Sequence, residues 1–167
     1  MASRTQPKSA ARRYWLFKSE PTTYGFDRFQ RDGRTSWNGV RNFQARNLLR
    51  DEIQVGDGVL FYHSSTEPMA IAGVARVVMA GHPDPTAFDP KSDHHDADSD
   101  PANPTWFQVD IECVGPMAPP VTREQCKATA ALRDMVLLQK GSRLSVQPVT
   151  AAEWRTILAL GNQRETW

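Results

Sequence analysis

The alternation of apolar and polar side chains divides this chain into short β-type runs separated by turn signals, with a few helical stretches between them. Tyr14 to Lys18 (YWLFK) is aromatic and apolar and reads as a first strand. It runs into Ser19-Glu20-Pro21, where proline, having no N–H to donate, stops the ladder. Phe26 and Phe29, three residues apart, predict a short helix ending near Gly33. From Val40 to Asp51, Val40, Phe43, Leu48 and Leu49 recur at helical spacing, and Arg41, Asn42, Gln44, Arg46 and Arg50 form the polar face.

After the turn signal Val55-Gly56-Asp57-Gly58, Val59 to Tyr62 opens another strand. Met69 to Met79 predicts one more, with Gly73 allowing a bulge or a close backbone approach. Trp106 to Val114 alternates cleanly, placing Phe107, Val109, Ile111 and Cys113 on one face. Thr122 caps one or two helical turns before Asp134, and Leu144 to Val149 forms a last strand. Thr150 and Glu153 make a capping box for a helix from Ala151 to Leu160, with Trp154, Ile157 and Leu158 as its buried stripe and Gly161 as its stop. His82 to Pro104, rich in Pro, Asp and His, reads as a long surface loop. Short strands, few helices and many Gly/Pro turns predict an α+β fold, a small curved sheet or barrel with flanking short helices.

Composition narrows the function classes. At 167 residues the chain fits one domain, and a net charge of +1 excludes a histone-like binder. Any contact with nucleic acid must come from a local patch. Cys113 and Cys126 lack CxxC spacing and read as reduced packing thiols. No apolar run approaches the roughly 18 residues of a membrane span, so the expected product is cytoplasmic, monomeric and not bound to a membrane. Residues 1–12, polar and carrying Arg4, Lys8 and Arg12, are expected to be a disordered basic tail. The domain itself is expected over 13–161, with a short tail at 162–167.

Two chemistries can be weighed and set aside. The run Asp93, His94, His95, Asp96, Asp98 and Asp100 could recruit a cation, but it lacks the glycine and terminal glutamate of a helix-loop-helix calcium site. Adjacent histidines on a loop also close a tetrahedral site poorly, so a solvated loop without metal is the reading taken. For catalysis, His63 beside Ser64 and Ser65 is the one tempting arrangement, and no GxSxG elbow surrounds either serine. Phosphate-cradling glycine loops are missing as well. The chain is therefore read as a non-enzyme without a cofactor.

What remains is a pocket. Of five tryptophans, Trp15 and Trp154 sit in apolar stripes and read as core. Trp37 differs, because Ser36, Asn38, Gly39, Arg41 and Asn42 surround it. Lys18 and Ser19 end one strand, Tyr62 and His63 end another, and Arg143 and Ser145 begin a third. Polar groups collected at strand ends around one aromatic suit a small-ligand or base site.

The segments YWLFKSEP (Tyr14 to Pro21), WNGVRNFQARN (Trp37 to Asn47), FYHS (Phe61 to Ser64), DPTAFDPKS (Asp84 to Ser92) and RLSVQPVTAAEW (Arg143 to Trp154) together resemble the EVE domain family. The resemblance implies a PUA-like fold and noncovalent recognition of nucleic acid, with a modified base such as a methylated or oxidised cytosine turned into a pocket. It implies Trp37 as a stacking wall, with Ser19, Asn38 and Asn42 bonding the base edge. Lys18, Arg41 and Arg143 would then contact phosphates, and Tyr62, His63 and Ser145 would shape the rim. The rival readings are a module that binds a free nucleoside-like metabolite and, behind it, a hydrolase using His63.

Overall fold

The computed structural model describes residues 11–167, so the expected tail at 1–12 falls almost wholly outside the described residues. Six strands form one mixed sheet: β1 (Tyr14–Ser19), β2 (Arg34–Ser36), β3 (Gly58–His63), β4 (Ala70–Pro83), β5 (Phe107–Thr122) and β6 (Val146–Val149). Their spatial order is β2-β5-β4-β3-β1-β6. β1 and β3 run parallel, with Leu16 beside Leu60 and Phe17 beside Phe61, and the other neighbours are antiparallel. The architecture is α+β, as the pattern predicts, but the sheet stays open with β2 and β6 at its edges. Bulges interrupt the long β4–β5 ladder at several points, each adding local twist and bend.

The unbroken apolar runs YWLF and VLFY are explained by burial on both faces of this sheet. Trp15, Phe17, Val59, Phe61, Val109 and Ile111 point to one side, where α2 (Phe26–Asp32) and α3 (Phe43–Asn47) add Phe26, Phe29 and Ala45. Leu16, Leu60, Tyr62, Ile71 and Val74 point to the other, under α4 (Arg123–Ala128) and α5 (Ala151–Leu160). A short helix, α1 (Pro21–Tyr24), follows β1 directly and starts on the proline that ends the strand. Burying each large apolar side chain contributes about 1.5–3 kcal/mol, so the two layers supply most of the driving force. Asp57, itself buried, ties the turn before β3 to this core by accepting from Trp15 Nε1 at 2.9 Å and from the Gln54 amide at 2.9 Å.

Local signals act where the sequence puts them. Thr150 and Glu153 close a reciprocal capping box on α5, and Thr122 Oγ1 accepts from the Gln125 amide to start α4. Gly161 does end α5, yet its φ of −95° is open to any residue. A Cβ there would overlap the Met117 sulfur, so any larger residue would require that flexible side chain to shift. Burial pushes the thiols of Cys113 and Cys126, both free, up to about 11.

Two expectations need correction. The helix expected from Val40 begins at Phe43, because Asn42 adopts an extended conformation and caps it, then gives way to a π turn at Leu48–Glu52. Phe43 does not join the buried stripe: it is 59% exposed. The segment expected as a C-terminal tail packs against the domain, with Trp167 Nε1 donating to the Gly56 carbonyl at 2.9 Å and its ring edge-on to Trp154.

Gly73 sits at a β4 register shift with the Phe26 ring over it, so that any Cβ would overlap the ring. Gly73→Ala should therefore destabilise the domain by about 1–3 kcal/mol, the usual range for overpacking. Urea denaturation would measure it, and an unchanged midpoint would show that the ring can move aside.

Candidate functional site

A cleft of about 660 Å³ opens at the end of β1, between α1 and the segment that leaves β2. That volume lies within the range of small-ligand sites, about 300–1,000 Å³. Lys18 and Ser19 supply the end of β1, Tyr24 the end of α1, and Trp37 to Arg41 the opposite wall, and the lining also includes Glu20, Asp32, Ser145 and His94. The wall is shaped by a single turn. Trp37 N–H still donates to the Val109 carbonyl at 2.8 Å, after which Gly39 turns the chain with φ +80°. Only glycine adopts that conformation freely, and here a Cβ would also come within 2.6 Å of the His94 ring.

The clamp on this turn is Asp84, which has no accessible surface. Its carboxylate accepts from the Gly39 amide at 2.8 Å, the Thr86 amide at 2.9 Å, the Thr86 hydroxyl at 2.6 Å and Arg41 Nη1 at 3.0 Å. Burial alone would push its pKa up. The Thr86 hydroxyl, the Gly39 amide, Arg41 and the Thr86 amide outweigh burial and hold it below the ordinary carboxylate value. Arg41 is equally committed. Nη1 also donates to the Val40 carbonyl, Nη2 to the Thr86 hydroxyl and the His94 carbonyl, and Nε to the same His94 carbonyl. All five of its donors are thereby engaged.

Both aromatic walls are extensions of the core. Trp37 is only 8% exposed and packs on Phe17 and Phe61, at centroid distances of 5.2 and 5.5 Å. Tyr24 leans on Phe29 and Phe61 and donates its hydroxyl to Asp32 at 2.8 Å. Ser19 Oγ donates to the Tyr24 carbonyl at 2.6 Å, which leaves its lone pairs to accept. Lys18 is half-buried, and burial followed by the nearby Arg123 charge lowers its pKa. Among the described residues it has no carboxylate within ion-pair distance.

The cleft thus gathers Lys18, Ser19, Trp37, Asn38, Arg41 and Ser145 from the residues singled out in the sequence. It does not gather Asn42, Tyr62, His63 or Arg143. Asn42 is outside because its side chain caps α3, accepting from the Ala45 amide at 3.0 Å. Tyr62 points to the opposite face of the sheet, and burial raises its pKa. His63 lines a smaller hollow beside α2, where Nε2 accepts from the Phe26 amide at 3.0 Å. Burial lowers its pKa, against the nearby Asp27 charge. Arg143 is exposed and off the lining. Arg41 reaches the cleft as a wall-forming residue, its donors already taken.

Sequence reasoning missed Tyr24, Asp84 and His94. Tyr24 carried a signal, being an aromatic three residues after the strand-ending proline. The aspartate run carried another, which its spacing explains. Asp89, Asp96 and Asp100 each accept from the amide two residues on, so the loop is a chain of local Asx turns. No three His, Cys, Asp or Glu side chains converge as metal ligands among the described residues.

The model of the EVE domain family matches residues 13–160. Human thymocyte nuclear protein 1 is 37% identical over 88% of this chain and 73% of its own length. A crystal structure from Pseudomonas putida superposes with a TM-score of 0.84 at 46% identity, covering 88% of this chain and 98% of that one. The human THYN1 protein, solved in complex with 5-methylcytosine-containing DNA, superposes at 0.83 with 32% identity, covering 92% of this chain and 99% of that one. The open mixed sheet with short helices matches these PUA-like structures.

Asp84→Ala strands the Arg41 charge and frees the Gly39 turn, and should cost about 1.5–3 kcal/mol, the range for hydrogen bonds to charged groups. Because the folded pKa of Asp84 is depressed, its contribution is present above the unfolded carboxylate value of about 4. It is lost as pH falls through the lower folded value. The gap between wild type and Asp84→Ala in urea midpoint should therefore close in acid, and a gap independent of pH would contradict the clamp.

Proposed function

The chain belongs to the EVE domain family, and we propose that it is a noncatalytic reader of modified cytosine in nucleic acid, DNA foremost. The observation that carries this reading is the convergence of an aromatic wall, Trp37, with Lys18, Ser19, Asn38 and Ser145 in one cleft of base-accommodating size. The likeness to the human THYN1 protein, solved with 5-methylcytosine-containing DNA, supports the choice of ligand. Turnover is disfavoured because His63, the candidate base, lies outside the cleft with Nε2 held by the Phe26 amide.

The energetics are consistent with this role. Extruding a base from a duplex costs a few kcal/mol, and stacking on an aromatic returns about 1–3 kcal/mol. Trp37 or Tyr24 alone would roughly cancel the extrusion. Net affinity then comes from the base edge. Asn38 and the Lys18 ammonium can donate to cytosine O2 and N3, and the carboxylates of Glu20 and Asp32, both at the lining, can accept from an exocyclic amine. Lys18 also provides an uncompensated positive charge for a phosphate. A methyl group in a fitted niche adds about 1–3 kcal/mol of discrimination, so the preference is graded.

In an equilibrium titration at two salt concentrations, wild type should bind an oligonucleotide with one 5-methylcytosine about tenfold more tightly than its unmodified twin. Trp37→Leu, checked for folding by circular dichroism, should lose that preference, and Asn38→Ala at the exposed rim should weaken binding without unfolding. Equal affinity of wild type for both oligonucleotides would sink the reader assignment. If free 5-methylcytidine bound as tightly as the oligonucleotide, the site would instead serve a small metabolite.

A further inference from the structure

A stack of side chains leads from the cleft wall to the protein surface. Arg41 holds its guanidinium 5.3 Å from the centroid of Trp106, and Trp106 stacks on Phe43 with centroids 5.0 Å apart and planes 28° from parallel. Arg46 places its guanidinium 5.1 Å from the Phe43 centroid. The inner part of this stack is fixed, because Trp106 is buried and donates from Nε1 to Asp96 at 2.7 Å. The outer part ends in solvent, with Phe43 59% exposed on the first turn of α3.

The charge beside Phe43 has no ion-pair partner, although the Asp51 carboxylate lies near enough to feel it. Arg46 donates only to neutral acceptors, the Asn47 side-chain oxygen at 2.8 Å and the Thr105 carbonyl at 2.7 Å. No carboxylate lies within ion-pair distance of it among the described residues. Arg50, one turn further, is by contrast neutralised by Asp51 at 2.7 Å. An exposed aromatic and an unpaired guanidinium, two stacking steps from a base-sized cleft, match a nucleotide, whose base or sugar stacks and whose phosphate is anionic. A protein partner fits less well, since the neighbours Asn42, Gln44 and Asn47 are polar and exposed.

We propose that Phe43 and Arg46 form a platform for the nucleotide that flanks the base held in the cleft, Phe43 stacking on it and Arg46 meeting its phosphate. This rests on the nucleic-acid reading above and extends the contact from one base to a strand. Phe43 then contributes affinity irrespective of modification, whereas Trp37 contributes selectivity.

The test titrates wild type, Phe43→Ala, Phe43→Leu and Phe43→Trp with three probes: free 5-methylcytidine, a short single strand carrying one central 5-methylcytosine, and its unmodified twin. Phe43→Ala should weaken both oligonucleotides alike by about tenfold, the stacking contribution of one base, and leave the nucleoside unaffected. Phe43→Leu, which keeps the apolar contact on Trp106, should show nearly the same loss, and Phe43→Trp should retain wild-type affinity. Arg46→Gln should lower the slope of log K against log salt by about 0.7, one phosphate contact on a single strand. Wild-type affinity in Phe43→Ala and Phe43→Leu would overturn the platform, as would a loss that also affects the nucleoside. If wild type showed no preference for the modified strand yet Phe43→Ala still lost oligonucleotide affinity, the reader assignment would fail and the platform stand. A chain that binds neither oligonucleotide would overturn both.

Discussion

The cleft depends on one buried carboxylate. Asp84 lies out of water and accepts from two backbone amides, a hydroxyl and a guanidinium. An unpaired charge in that position would be strongly unfavourable, and a full set of donors is what makes it tolerable. Those donors come from different parts of the chain, so satisfying Asp84 fastens the loop after β4 to the turn after β2. Gly39 is held in its left-handed conformation, His94 is drawn over it, and the wall that bears Trp37 acquires a fixed shape.

The walls of the cleft belong to the core rather than standing on its surface. Trp37 and Tyr24 both rest on Phe61, a central β3 residue, and Trp37 also packs on Phe17 in β1. Side chains locked by such packing are preorganised, so little rotamer entropy is lost when a flat ligand arrives. The arrangement couples stability to recognition at Trp37. Phe43 is free of that coupling, because its contact with Trp106 lies at the periphery and one turn of helix carries it.

Much of the fold was legible because its signals are local. The capping box at Thr150 and Glu153, the proline after β1, the alternation in Val109 to Cys113 and the stripe of α5 all depend on neighbours a few positions away. The failures arise where a side chain had two possible partners. Asn42 could read a base edge or cap a helix, and the free amides of α3 claimed it. Tyr62 and His63 end a strand adjacent to the one that Lys18 and Ser19 end, and by sequence alone the four read as one cluster. Strand parity sends Tyr62 to the α4 and α5 side, and the Phe26 amide claims His63. Arg41 looked like a phosphate contact until Asp84, more than forty residues away, took its charge.

Residue types and local spacing by themselves determined five of the six strands, the caps at Thr122 and Thr150 and the α+β class, because each rests on backbone hydrogen bonding and on apolar periods of two or 3.6 residues, while the family was legible in the motifs themselves. Tertiary structure alone decided which polar groups face the cleft and which are satisfied internally. That choice is made by competition among donors and acceptors that meet only after the sheet has formed, and no spacing along the chain records who wins.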